Sequence, residues 1–178
     1  LVIVRANSGI NDFAGLKGKS FAYVPNTSAG ELFCRLLLSK GGKAGEKEFF
    51  SRVVRVSNHA EAVQMVANGK VDGAAAKESV LKRLINEQGK KGMQVLKENI
   101  RILESSTSFP ETALVVSASL DPTQAAKLRD ILLSCDKKET GKAALKMLGA
   151  DRFILNSHSD YAKMYEMAKD ADYSFRKK

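Results

Sequence analysis

The 178 residues contain no tryptophan, and aromatic residues amount to only 7%. Cysteine and histidine each occur twice, as Cys34 and Cys135 and as His59 and His158. Two cysteines so far apart do not make the framework of a disulfide-stapled scaffold. Two distant histidines do not give metal-ligand spacing, so neither a metal nor a cofactor is expected. No apolar run reaches the ~18 residues that span a bilayer. Neither an arginine-rich helix nor aromatic residues interleaved with basic ones occurs, which removes the usual signature of RNA binding. Repeats at solenoid spacing and low-complexity tracts are also missing.

What remains is ordinary globular material: 44% hydrophobic and 28% charged residues, enough chain to bury a core without staples. The length fits one domain or two small lobes. The net charge is +9, split as +5, +1 and +3 over residues 1–60, 61–120 and 121–178. Its longest basic run, Arg176-Lys177-Lys178, is the last of the sequence. The surplus is therefore diffuse, and no nucleic-acid partner is expected. Cys135 continues an apolar series with Leu128, Ile131 and Leu132 at helical spacing and is expected to be a buried packing residue. The sequence begins at Leu1, so a processed chain or a fragment is expected.

Leu1–Arg5, Ser20–Val24, Arg52–Val56 and the small-residue stretch Val71–Ala76 read as strands. Ile100–Ser105 and Ala113–Ser117 read as two more, around the loop Ser106–Thr112. Residues 11–19 hold a short helical turn. Gly30–Lys40 is a helix with Leu32, Phe33, Leu36 and Leu37 on one face, stopped by Gly41 and Gly42. Asn58-His59 opens a helix with Ala62, Val63, Val66 and Ala67 inward, closed by Gly69. Glu78–Gln88 is helical with Val80, Leu81, Leu84 and Ile85 inward, and Gly89–Gly92 reads as a basic turn. Three helices finish the chain near Pro122–Cys135, Thr140–Leu148 and Asp160–Asp170. Strands alternating with helices predict an α/β fold with a largely parallel sheet. Ligands in such sheets bind beyond the carboxyl ends of the strands, which selects the loops Pro25–Gly30, Ser57–His59 and Ala76–Ser79.

The first loop offers the hydroxyls of Thr27 and Ser28. The first N–H groups of the following helix have no intrahelical partner and point into the same space. Together with the positive end of the helix dipole they form an anion site, or else the hydroxyls simply cap the helix. His59 stands at the next helix start, either as a neutral donor to an anion or as a surface cap. His158, in Asn156-Ser157-His158-Ser159, reads as structural or solvent-exposed. A Cys34–His59–Asp72 triad lacks local support, since Cys34 lies inside a helix rather than on a nucleophile elbow. The glycine- and lysine-rich stretch Gly41–Lys47 follows a helix and lacks the order of a phosphate loop. The three loops carry donors but no acid/base pair, which points to a binding module and away from an enzyme.

Four stretches carry a resemblance: FAYVPNTSAGELFCRLLL, VSNHAEAVQMVANGKVDGAAAKESVLKRL, ILESSTSFPETALVVSASLD and GKAALKMLGADRFI. In this order they resemble the phosphate, phosphite and phosphonate solute-binding proteins of ABC importers. The resemblance implies a type II periplasmic-binding-protein-like architecture, a two-lobed clamp that traps ligand by closure. It implies a complete lobe over residues 6–99, hinge strands at 1–5 and 100–105, and only the C-terminal part of the other lobe over 106–178. The segment that forms most of that second lobe's sheet is expected to precede Leu1. The apolar faces it would cover are then exposed, or covered by a second copy in a homodimer.

The resemblance also implies roles. Thr27 and Ser28, with Asn26 beside them, match the family's anion-holding turn, and Gly30 matches its glycine. Ala29 stands where a hydroxyl residue is usual. His59 matches the anion-binding histidine. Contacts to a ligand amine fall at Ser79, with Glu78 one position early, and at Thr112, with Glu111 one position early. The implied ligand is a small phosphorus oxyanion or an unsubstituted phosphonate. The implied partners are ABC permease subunits, and the implied location is the periplasm or a lipid anchor at the outer face of the membrane. A ligand sensor of a histidine-kinase receptor with the same fold is the alternative.

Overall fold

The computed structural model describes residues 1–42, 45–87, 98–108, 110 and 113–174. The basic turn expected at 89–92 lies outside them. Two compact units are present, one of residues 1–108 joined by the segment from Lys163 onward, the other of residues 109–162.

The first unit is built on five strands: β1 (Val2–Arg5), β2 (Ser20–Tyr23), β3 (Arg52–Arg55), β4 (Gly73–Ala75) and β5 (Ile100–Glu104), in the order β3-β2-β4-β1-β5. β2 pairs in parallel with β3, Ser20 opposite Arg52 and Tyr23 opposite Arg55, and with β4, Ala22 opposite Ala74. β1 runs antiparallel to both neighbours, β4 and β5. The sheet is thus mixed rather than largely parallel. The physical reason lies in the connector at residues 6–19. It holds one 3₁₀ turn, Ala14–Leu16, and turns the chain round instead of carrying it across the sheet on a helix.

The helices are α1 (Phe33–Lys40), α2 (Glu46–Phe49), α3 (His59–Ala67) and α4 (Glu78–Glu87). α3 is capped by Asn58, whose Oδ1 accepts the Glu61 N–H at 2.9 Å. It ends at Gly69, with φ +68°, the left-handed geometry that glycine tolerates. Ala62, Val63 and Val66 of α3 meet Ile3, Ala22 and Ala74 of the sheet in one buried cluster with Leu81 and Leu84 of α4. β4 is central and flanked tightly. A Cβ on Gly73 would stand 2.8 Å from Leu16 Cδ2 and 3.2 Å from Phe21 Cδ2, which is why the strand is made of Gly and Ala. The opposite end of the sheet is closed by Phe13, Phe21, Phe49 and Phe50, with Phe21 and Phe50 stacked at 4.6 Å between centroids.

The second unit contains α5 (Pro122–Leu133), a 3₁₀ turn at Cys135–Lys137 and α6 (Glu139–Leu148). Asp121 caps α5 by accepting the Gln124 N–H at 3.0 Å. A Cβ on Gly141 would sit 2.0 Å from the Cys135 carbonyl oxygen, so α6 is seated on that turn through a bare glycine. Only Leu145 is buried among this unit's described large apolar residues, whereas Leu114, Val115, Val116, Ile131, Met147, Leu148, Ile154 and Leu155 are exposed. Two expectations are corrected here. Residues 113–117 form no strand, because a strand exists only with a hydrogen-bonded neighbour. Cys135 is half-buried rather than part of a core, since α5 turns no buried face onto anything.

The last helix, α7 (Ala162–Asp170), follows a 3₁₀ turn at His158–Tyr161 whose cap, Ser157, donates its N–H to Asp160 at 2.6 Å. His158 is exposed, as expected. Met167 and Ala168 of α7 are buried, and this segment belongs to the first unit.

Asp72 fastens the end of the sheet where β2 and β4 begin. Its Oδ2 accepts the Ser20 N–H at 2.9 Å and the Ser20 hydroxyl at 2.6 Å, while its own N–H reaches the Ser20 carbonyl oxygen at 3.1 Å. Partial burial raises the Asp72 pKa, but the two Ser20 bonds and the nearby Lys19 and Arg5 outweigh it and hold the carboxyl below its ordinary value. A lowered folded-state pKa contributes stability above the ordinary carboxylate range that is lost as pH falls through the folded value. Asp72→Ala is expected to cost about 1.5–3 kcal/mol at pH 7 by urea unfolding. The difference from wild type should shrink below pH ~4; a difference unchanged by acid would contradict this role for the charge.

Candidate functional site

Register alone brings three loops to one edge of the sheet. Tyr23 and Arg55 are opposite one another at the ends of β2 and β3, and Ala22 is opposite Ala74 near the end of β4. The loops at 24–30, 56–59 and 76–79 therefore leave three adjacent parallel strands at one edge, with the β2 loop in the middle and strands ~4.8 Å apart. β1 begins at the same edge: Leu1 exchanges hydrogen bonds with Ala76, both at 2.9 Å. β5 ends there too, with Glu104 opposite Val2. These three loops are the ones that the strand-end rule selects from sequence.

The middle loop is shaped by Thr27 and Gly30. Asn26, exposed, takes φ +56°. Thr27 is the N-cap; its Oγ1 donates to the Val24 carbonyl oxygen at 2.8 Å and accepts the Gly30 N–H at 3.1 Å. That hydroxyl has one proton, and the cap uses it. Thr27 thus serves as the cap, and in this conformation its hydroxyl is not a donor to a ligand. A π-helical turn at Ser28–Leu32 then leads into α1. Ser28 and Ala29 are half-buried, and their N–H groups, in the first turn, have no acceptor among the described residues. With the Ser28 hydroxyl they are the donors this loop presents. Gly30 is buried, and a Cβ there would stand 2.4 Å from the Val24 oxygen and 2.6 Å from Thr27 Oγ1. Only glycine lets the helix start come this close to the strand it follows.

His59 is the first residue of α3 and, at 7% exposed, is a buried polar side chain. Burial removes the reading as a surface cap. Asn58 does the capping, its Oδ1 accepting the Glu61 N–H, and Ser57 donates its N–H and hydroxyl to Glu61 at 3.2 and 3.0 Å. The third loop is different. Glu78 and Ser79 are exposed, and Glu78 pairs with Lys82 at 2.7 Å along its own helix. The bond and charge of Lys82 hold the Glu78 carboxyl below its ordinary value. Thr112 and its neighbour Glu111 lie outside the described residues.

The Cys34–His59–Asp72 combination is excluded by topology. His59 follows a strand end and Asp72 precedes a strand start, so they lie at opposite ends of parallel strands. Cys34 is 1% exposed, and burial pushes its thiol far up. Among the described residues no cluster of three or more His, Cys, Asp or Glu is placed to hold a metal.

Sequence reasoning missed two supports of this edge. The Tyr23 hydroxyl donates to Glu46 Oε2 at 2.5 Å, and Arg55 donates to Glu46 Oε1 at 2.8 Å. This ties the ends of β2 and β3 to α2. Burial first, and then Glu46, holds the Tyr23 phenol well above its ordinary value. The second support is Glu31, which accepts the Asn26 N–H at 2.8 Å. No local pattern signals either, because the partners are set by strand register and by the left-handed Asn26.

Residues 1–161 match the family described as ABC transporter, phosphonate, periplasmic substrate-binding protein. The chain belongs to that family. Its fold is similar to the binding-protein component of an ABC phosphonate transporter from Pseudomonas aeruginosa, with TM-score 0.77 and 22% identity over 97% of this chain and 57% of that one. It is also similar to PhnD1 of Prochlorococcus marinus in complex with methylphosphonate, with TM-score 0.76 and 19% identity over 97% of this chain and 66% of that one. A Xanthomonas citri protein bound to chloride ion gives TM-score 0.72 at 19% identity, over 97% of this chain and 64% of that one. The chain therefore spans between 57% and 66% of the length of these structures. Members of the family are binding components of transporters, and the family is periplasmic. Among the described residues no helix is long and apolar enough to cross a membrane.

The geometry of the middle loop makes a specific demand. Gly30→Ala must push the Val24 backbone or Thr27 aside, so it should lower stability by ~1–3 kcal/mol. Thr27→Ala should cost ~1 kcal/mol through the lost cap, and Thr27→Ser should retain most of it. Urea unfolding of the three variants checks this; a Gly30→Ala as stable as wild type would contradict the close approach.

Proposed function

We propose that this chain is part of the solute-binding component of an ABC importer and takes a small phosphorus oxyanion or unsubstituted phosphonate at the three-loop edge. One observation carries the reading: the N–H groups of Ser28 and Ala29 and the Ser28 hydroxyl open beside the strand whose own loop ends at the buried His59. Such donors stabilise an anion without a full counter-charge, each bond to a charged ligand contributing roughly 1.5–3 kcal/mol. Of the two carboxylates beside the amine-contact positions, Glu78 is paired with Lys82. Edge loops with donors and no acid/base pair support capture over catalysis.

The proposed division is a lobe over 6–99, hinges at 1–5 and 100–105, and part of a second lobe from 106. The start of β1 and the end of β5 at the site edge support it, because a chain crossing between lobes there flanks the ligand and lets closure bury it. Permease subunits are the proposed partners, at the outer face of the membrane, with or without a lipid anchor. A second copy is the proposed cover for the apolar residues between 109 and 162.

Thermal shift with phosphate, phosphite, methylphosphonate and 2-aminoethylphosphonate tests the ligand class. A ligand at 100 times its Kd adds ~2.7 kcal/mol of stability. Shifts are expected with the amine-free anions and a smaller one with 2-aminoethylphosphonate, and His59→Ala should weaken binding at least about tenfold. No shift with any of the four, or the largest with 2-aminoethylphosphonate, would overturn the proposed ligand. Light scattering on the same sample should read a dimer; a monomer removes the second copy.

A further inference from the structure

Glu31 places a carboxylate in the first helical turn of the loop just described, where a negative charge opposes a bound anion. Its two oxygens are divided. Oε2 accepts the Asn26 N–H at 2.8 Å, holding the residue at φ +56° that starts the turn. Oε1 accepts from Arg35 Nε at 3.1 Å and from a second Arg35 nitrogen at 2.8 Å, one helical turn on. The Glu31 side chain is 13% exposed and that of Arg35 47%, so the carboxylate is the better shielded of the two. Arg35 is itself held from the far side, its guanidinium carbon 5.6 Å from the centre of the Tyr173 ring. Tyr173 in turn is fixed by its N–H to the Ala168 carbonyl oxygen at 2.8 Å, behind the buried face of α7.

We propose that Glu31 and Arg35 are positioning residues for the anion turn: Glu31 holds Asn26 in its left-handed conformation, and Arg35 cancels the charge that this bracing carboxylate brings to the site. The inference rests on the ligand reading above. The chain Asn26–Glu31–Arg35–Tyr173 makes the shape and the charge of the turn separable. A neutral side chain with the same acceptor keeps the shape and removes the charge. Loss of Arg35 does the reverse, leaving the brace and uncovering its charge. A merely structural ion pair would make every variant weaker.

Two measurements on the protein test this. Without any anion, hydrogen exchange at the Asn26 amide should be unchanged in Glu31→Gln and at least about tenfold faster in Glu31→Ala. Equal exchange in Glu31→Ala and wild type would overturn the bracing role. With methylphosphonate, calorimetry should give opposite signs: binding about threefold tighter in Glu31→Gln, about threefold weaker in Arg35→Ala, and near wild type in the double variant. The differences should contract at 0.5 M salt. If both single variants weaken binding, or salt leaves the differences unchanged, the charge-cancelling role is wrong. If wild type binds phosphate or phosphite but no methylphosphonate, the same calorimetry is read with that anion; if it binds none of the three, the ligand reading fails and takes the charge role with it, while the exchange result still decides the brace.

Discussion

Parallel pairing of β2 with both β3 and β4 is the constraint on which the rest depends. It sends three successive loops out of one edge, side by side, and sends the strand starts to the other edge. The chain treats the two edges differently. At the starts, Asp72 and Ser20 exchange backbone and side-chain bonds and the phenylalanine cluster closes the end. At the other edge, polar groups are left to face outward. The Tyr23–Glu46–Arg55 clamp and the Glu31–Asn26 bond hold the loop bases there, so the first-turn donors have little freedom to relax, and that preorganisation is what an anion site needs.

The site edge depends on glycine and hydroxyl chemistry more than on charge. Gly30 allows the helix start to approach the β2 backbone, and Thr27 spends its hydroxyl making that approach permanent. The donors that remain include the N–H groups of Ser28 and Ala29. The net charge of +9 is spread along the sequence, and three basic residues near the loops are paired, Arg35 with Glu31, Arg55 with Glu46 and Lys82 with Glu78, while Lys77 lies in the third loop itself. A few aimed dipoles discriminate between small anions, which a general positive field would not.

The loops were legible in the sequence because their signals are local. Pro25–Gly30 is turn and cap chemistry directly after a strand, Asn58-His59 opens an amphipathic helix, and Gly69 ends it. The small-residue stretch Val71–Ala76 was legible as a strand, and its tight packing emerges only from the neighbours of Gly73. The direction of β1 was not legible, since it follows from the absence of a crossover helix in residues 6–19, which composition does not declare. Residues 113–117 read as a strand by side-chain type alone; without a partner they form none, and Leu114, Val115 and Val116 stay exposed. Cys135 failed for the same reason: periodicity predicts an apolar face, and burial needs something to face. The Tyr23–Glu46–Arg55 clamp and the Glu31 brace join residues whose spacing has no helical or strand period.

In the proposed site, uncharged, aimed donors hold the anion. Titration of ¹⁵N-labelled protein with methylphosphonate, followed by amide chemical shifts, tests it most directly. The account predicts that the Ser28 and Ala29 amides shift most, with the His59 ring resonances moving at the same ligand concentration. Shifts spread over surface lysines and arginines, with Ser28 and Ala29 unmoved, would contradict it.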